Sequence, residues 1–316
     1  MPGLTASRAA ASAAARSPTR PPPARFVTPF DRAVDAPARP PARVGAVSYL
    51  NSRPLIEGLA THLGEPCVER CRLGGCRDRC GAGAMLSLEL PSRLADGLAG
   101  DRLDAALVPS VFALTRPGFE VFSDACVTAA GPVRSVKAYF RVPPGDVRTL
   151  ALDEGSRTSA ALLRVLLSER YGVTPRIEPL PLAASASDVE ADAVLVIGDR
   201  AMHDPPGPWT HVWDLGGEWF RWTGLPFVFA VWAGREDRDL QDIAVAVTAA
   251  RDEGVRNLAA IAEREAPRLN LSPADAEGYL RTNLHFTLGP AERSGMALFA
   301  ELLGRAGVSS SFDVPR

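Results

Sequence analysis

Val44 to Leu55 reads VGAVSYLNSRPL. Val44, Ala46 and Val47 are apolar and Gly45 is slim, which suits a buried strand of a parallel sheet. The run then turns polar through Ser48, Tyr49, Asn51, Ser52 and Arg53. Pro54 marks the start of a helix over 54–60, because proline is tolerated in a first turn. The stretch is therefore strand, short polar loop, helix. In an open α/β sheet the carboxyl ends of the strands are where ligands sit. Asn51 is then a neutral side chain with donors and an acceptor at a cleft. On this segment alone, a helix cap is the simpler reading of Asn51.

The pattern repeats outward from there. Met85–Leu90 reads as a strand, residues 91–99 as a helix, and LDAALVPS, Leu103–Ser110, as a second apolar strand. This alternation predicts a parallel sheet with crossover helices. Ser110 places a hydroxyl at a strand end, with an N-cap as the plainer alternative. Residues 119–142 hold two extended stretches broken at Gly131-Pro132, a crossover into a second domain with Ser135 at the passage. A second unit begins with a strand at Val147–Leu152 and a helix over Ala160–Tyr171. Between them lies GSRTS, Gly155 to Ser159. A helix N-terminus offers free N–H groups and a positive dipole end, so hydroxyls at Ser156, Thr158 and Ser159 fit an anion site. The Walker lysine is missing, so the anion is a carboxylate rather than a nucleoside triphosphate. A ligand-free serine-rich cap remains the alternative. Arg176–Leu182 and Asp192–Met202 are further strands, the latter ending at Gly198-Asp199. Phe227–Trp232 returns to the first domain, and helices follow over 238–265, 273–283 and 290–306.

The totals set bounds. A chain of 316 residues with 46% hydrophobic content is long enough for two domains. A net charge of −2 gives no reason to expect a nucleic-acid or membrane-surface binder. Residues 5–26, TASRAAASAAARSPTRPPPARF, carry almost no large apolar side chains. Residues 1–40 accordingly read as a disordered extension, from an upstream start codon or as a targeting leader. Without a secretory signal, the expected location is the cytoplasm. Cys67, Cys71, Cys76 and Cys80 are spaced C-x3-C-x4-C-x3-C in a charged loop. Four thiolates could hold a structural zinc; a plain exposed insertion is the other reading, and neither bears on the main chemistry. Cys126 reads as a small buried apolar residue.

Five segments in order carry a resemblance: VGAVSYLNSRPL, LPSRLADGLAGDRLDAALVPS, GSRTS, DAVLVIGDRAM and DLGGEWFRWTGLPFVFAVW. Over residues 43 to 306 the chain resembles the chorismate dehydratase family of the futalosine route to menaquinone. The resemblance implies an α/β, two-lobed, type II periplasmic-binding-protein-like fold with a ligand cleft between the lobes and C-terminal helices. Lobe 1 would comprise 41–136 and 227–308, with the Cys-rich insertion at 65–84; lobe 2 would be 137–226, and 309–316 a disordered tail. It implies a hydro-lyase converting chorismate to 3-[(1-carboxyvinyl)oxy]benzoate and water, without metal or redox cofactor. Asn51 would be the catalytic residue. Ser48, Tyr49, Ser110, Ser135, Ser156, Thr158, Ser159 and Gly198 would contact substrate. The sister 1,4-dihydroxy-6-naphthoate synthase shares the fold but carries a histidine where this chain has Gly198. A solute-binding protein without chemistry is the rival from another class. Nothing in the sequence fixes an oligomeric state.

Overall fold

The structure, a computed structural model, describes residues 41–64 and 84–308. The N-terminal extension, the Cys67–Cys80 cluster and the tail after residue 308 lie outside the described residues.

Two sheets organise the described chain. Six strands, β1 (Arg43–Val47), β2 (Met85–Glu89), β3 (Ala105–Pro109), β4 (Phe119–Ala129), β10 (Phe227–Arg235) and β11 (His285–Thr287), form one, in the order β11-β4-β10-β3-β1-β2. Five strands, β5 (Val136–Phe140), β6 (Thr149–Asp153), β7 (Arg176–Leu180), β8 (Ala193–Ile197) and β9 (His211–Asp214), form the other, in the order β7-β6-β8-β5-β9. Within the first, β1 runs parallel to β2 and β3; within the second, β6 runs parallel to β7 and β8. The strands flanking these parallel blocks, β10 and β5, run antiparallel to them. The chain leaves the first sheet after Ala129 and returns to it at Phe227.

The central strands are apolar on both faces because helices cover both faces. β3 and β8 are buried at every residue. Gly45 is small for a reason: a Cβ there would lie 2.5 Å from Leu94, on the helix Pro91–Ala99 that packs over β1. The helix Thr158–Tyr171 buries nine of its residues and stops at Gly172, whose φ of +69° admits the left-handed cap. No helix among the described residues is long and apolar enough to cross a membrane.

Several elements differ from the sequence expectation. The helix expected over 54–60 is two short pieces, Arg53–Ile56 and Leu59–His62, separated at Gly58 with φ +64°. A Cβ at Gly58 would meet the Glu253 carboxylate at 2.7 Å. The helix expected over 238–265 starts at Gln241 and breaks at Asn257 into Gln241–Arg256 and Leu258–Glu265. A short edge strand, β11, lies between the last two helices. DLGGEWFRWTG forms a helix over Leu215–Thr223, started by Asp214 accepting the Gly217 N–H. Gly216 is small for packing: a Cβ there would sit 2.6 Å from the Gly131 carbonyl.

The Arg53–Ile56 helix, which follows the Asn51 turn, lies against Gln241–Arg256 at Gly254. There a Cβ would collide with the Pro54 carbonyl oxygen. Gly254→Ala is expected to lower unfolding stability by about 1–3 kcal/mol, the usual cost of overpacking. Urea unfolding measures it, and an unchanged midpoint would mean that the two helices part freely.

Candidate active site

The carboxyl ends of β1, β3, β6 and β8 open on one cavity. It holds about 460 Å³ of space between protein atoms, part of it open to solvent. Val47, Tyr49, Asn51, Ser52, Pro109 and Phe229 come from the side of the six-stranded sheet. The loop 155–159, Ile197 and Gly198 come from the side of the five-stranded sheet.

Of the nine residues that the sequence proposes, Tyr49, Asn51, Ser156, Thr158, Ser159 and Gly198 line this cavity. Ser48, Ser110 and Ser135 are not among its lining residues. Ser110 is fully buried, and its Oγ donates to the Val228 carbonyl at 2.7 Å. Ser135 accepts the Tyr279 hydroxyl at 2.8 Å, and its carbonyl takes the Gly198 N–H at 2.9 Å. Both serines therefore support the wall from behind. Thr158 does both: it lines the cavity while its Oγ1 accepts the Val111 N–H at 3.2 Å, a bond between the two halves.

Asn51 is not a helix cap. It sits within the 3₁₀ turn Leu50–Ser52, which has no side-chain cap, and its Oδ1 accepts the Ser52 hydroxyl at 2.9 Å. Tyr49 lies flat against Gly198, where φ is +69° and a Cβ would come within 2.9 Å of the tyrosine ring. Burial first, then the nearby Asp153 and Asp199 carboxylates, push the Tyr49 hydroxyl up, so it stays a neutral phenol.

Behind the lining stand two carboxylates. Asp153 is 2% exposed. Its oxygens accept the Gly155 N–H at 2.9 Å, the Ile197 N–H at 3.1 Å and the Arg200 Nε at 2.9 Å. Burial pushes its carboxyl up and the Arg200 guanidinium pulls it back. Asp199 accepts the Leu50 N–H at 2.9 Å and is likewise raised by burial. Glu218 is a structural carboxylate, paired with Arg170 and Arg221 at 2.7 Å each.

Among the described lining residues, Arg157 is the sole charged side chain, and none is His, Asp, Glu, Lys or Cys. Within GSRTS the flanking hydroxyls give no sequence signal that singles out Arg157. Its Nη2 donates to Asp96 Oδ1 at 2.7 Å, on the helix Pro91–Ala99. A guanidinium has five donors, so that single bond leaves others for a carboxylate. The four histidines stand elsewhere: His62 pairs with Glu253, His203 meets the Leu269 carbonyl, and His211 and His285 are exposed.

This arrangement can be compared with known proteins. The family described as menaquinone biosynthesis matches residues 42–305. The chain belongs to that family. A chorismate dehydratase from Thermus thermophilus is 35% identical over 233 residues, which is 68% of this chain and 85% of the relative. Among solved structures, a protein from Archaeoglobus fulgidus superposes with a TM-score of 0.60 at 13% identity, covering 84% of this chain and 97% of its own. The alkanesulfonate-binding protein of Xanthomonas axonopodis pv. citri gives 0.53 at 14% identity, over 86% and 95%. A Candida albicans gene product with the generic periplasmic binding protein fold gives 0.52 at 14% identity, over 87% and 92%. The fold of this family member is thus periplasmic-binding-protein-like, as the motifs implied.

Ser135→Ala removes the acceptor of a buried tyrosine hydroxyl and is expected to cost about 1 kcal/mol of stability. Chemical denaturation checks this. A loss near zero would mean that the Tyr279 hydroxyl finds another partner.

Proposed function

We propose that this protein is a chorismate dehydratase, a hydro-lyase that forms 3-[(1-carboxyvinyl)oxy]benzoate and water. The observation that carries the reading is a cavity whose described lining residues supply an amide, a row of hydroxyls and one guanidinium, with no ordinary base among them. Such a lining suits a substrate that brings two carboxylates and its own proton acceptor.

In the proposed reaction the ring C3–H bond breaks and the proton passes to the substrate's enolpyruvyl carboxylate. The C3 electron pair forms the C3–C4 double bond, and the C4–O bond breaks. The departing hydroxide takes that proton from the enolpyruvyl carboxyl and leaves as water, which returns the carboxylate. Aromatisation drives the step, so the protein's part is chiefly to hold the reactive conformation in a dry site. Asn51 hydrogen-bonds the substrate and stabilises charge as it develops. Arg157 and the hydroxyls of Ser156 and Ser159, beside the N-terminus of the Thr158–Tyr171 helix, take a carboxylate. Tyr49 and Phe229 supply aromatic surface for the ring.

The sister synthase reading is disfavoured at Gly198. Its φ of +69° and the Tyr49 ring leave no room for a histidine side chain. A solute-binding protein would use the same cavity without turnover, and kinetics separate the two.

Steady-state turnover of chorismate tests the reading. Asn51→Ala is expected to lower kcat by about 10²–10³-fold with the fold intact. Near-wild-type kcat would remove Asn51 from the chemistry. Arg157→Gln is expected to raise KM by about ten- to a hundred-fold, the worth of a charged hydrogen bond, with a smaller change in kcat. An unchanged KM would place the substrate carboxylates away from the 155–159 loop.

A further inference from the structure

The turn that carries Asn51 is held from the opposite side of the cleft. Leu50 follows β1 of the six-stranded sheet, and its N–H opens the 3₁₀ turn Leu50–Ser52. The first N–H groups of such a turn have no partner inside it. Leu50 is 1% exposed, so water is a poor substitute, and a buried N–H without an acceptor is costly. The turn supplies no side-chain cap of its own. The acceptor is Asp199 Oδ1, at 2.9 Å. Asp199 belongs to the short 3₁₀ segment Gly198–Met202 that follows β8, in the five-stranded sheet, 149 positions along the chain.

The contact is one of a pair. Tyr49 precedes Leu50 and packs against Gly198, which precedes Asp199. Two consecutive residues from one half thus meet two consecutive residues from the other, one contact by packing and one by hydrogen bond. Asn51 is the next residue, and its own side chain is oriented through Ser52 Oγ at 2.9 Å. The proposed chemistry gives Asp199 no proton to move, and it is not among the cavity-lining residues.

We infer that Asp199 is the positioning residue for Asn51: its carboxylate takes the Leu50 N–H across the cleft and sets the Asn51 turn in its working place. The inference rests on the role given to Asn51 above.

The test compares Asp199→Ala and Asp199→Asn with the wild-type chain. Three readouts are followed: chorismate turnover, thermal midpoint, and amide exchange at Leu50 by NMR. Asp199→Ala is expected to lower kcat by about 10²-fold, the effect of a slightly misplaced catalytic group, with KM changed less than about three-fold. Asp199→Asn retains an acceptor oxygen and is expected to recover at least about a tenth of the wild-type kcat. Exchange at Leu50 is expected to speed up about ten-fold or more in the alanine variant alone. Wild-type kcat in Asp199→Ala overturns the inference. So does a loss of kcat that follows the thermal midpoint and that asparagine does not rescue. If the wild-type chain fails to turn over chorismate, the substrate reading fails, and Leu50 exchange still decides the positioning role. Protection unchanged in Asp199→Ala overturns it, and protection lost in alanine but kept in asparagine sustains it.

Discussion

Asp153 is a carboxylate taken almost wholly out of water, and the cleft's second wall hangs on it. Burying a charge costs several kcal/mol unless donors replace the lost water. Here the replacements are the Gly155 and Ile197 N–H groups and the Arg200 guanidinium. Each lies on a different piece of the wall. Gly155 opens the loop into the long helix, Ile197 ends β8, and Arg200 also donates to the carbonyls of Leu182 and Ala184 at 3.0 Å. One desolvated anion thereby fixes the end of β6, the end of β8 and the hydroxyl-rich loop that follows β6. Gly198 follows directly, in a backbone conformation that only glycine adopts without strain, and so leaves room for the Tyr49 ring. The geometry of the facing residues Tyr49 and Asn51 follows from that room.

The described lining of the cleft suits an anion better than it suits acid–base work by the protein. Its charged groups have been moved off the lining. Asp153 and Arg200 neutralise each other behind the wall, and Asp199 is turned to a backbone N–H. Among the described residues Arg157 alone carries charge to the lining, and even it is anchored to Asp96 on the facing half. A binding-protein fold suits this use. A ligand held between the two halves would be screened from water, which would strengthen its electrostatic contacts. The proposed chemistry asks for little else, because the acceptor for the proton belongs to the substrate.

Much of this was legible in the chain because the signals are local. Unbroken apolar runs at Val44–Val47, Ala105–Val108 and Ala193–Ile197 announce parallel strands, and polar residues at their carboxyl ends announce the cleft. What escaped is long-range or spatial. Arg157 looks like a gap in a row of hydroxyls until Asp96, 61 positions earlier, faces it. Ser110 and Ser135 stand at the right strand ends, yet their hydroxyls are bound to Val228 and Tyr279, partners that no spacing rule connects to them. Gly216 sits inside a helix although propensity disfavours glycine there, because the Gly131 carbonyl lies too close to admit a side chain. Asn51 was found through the resemblance of its segment; its seat in a 3₁₀ turn supported across the cleft was not visible there.

The central claim is that this cleft removes water from chorismate without a protein base. It is tested most directly by incubating the purified chain with chorismate and analysing the products by chromatography with mass detection. The account requires a product one water lighter than chorismate, with aromatic absorbance and the enolpyruvyl group retained. Chorismate recovered intact, or a product that has lost the enolpyruvyl group, would contradict it.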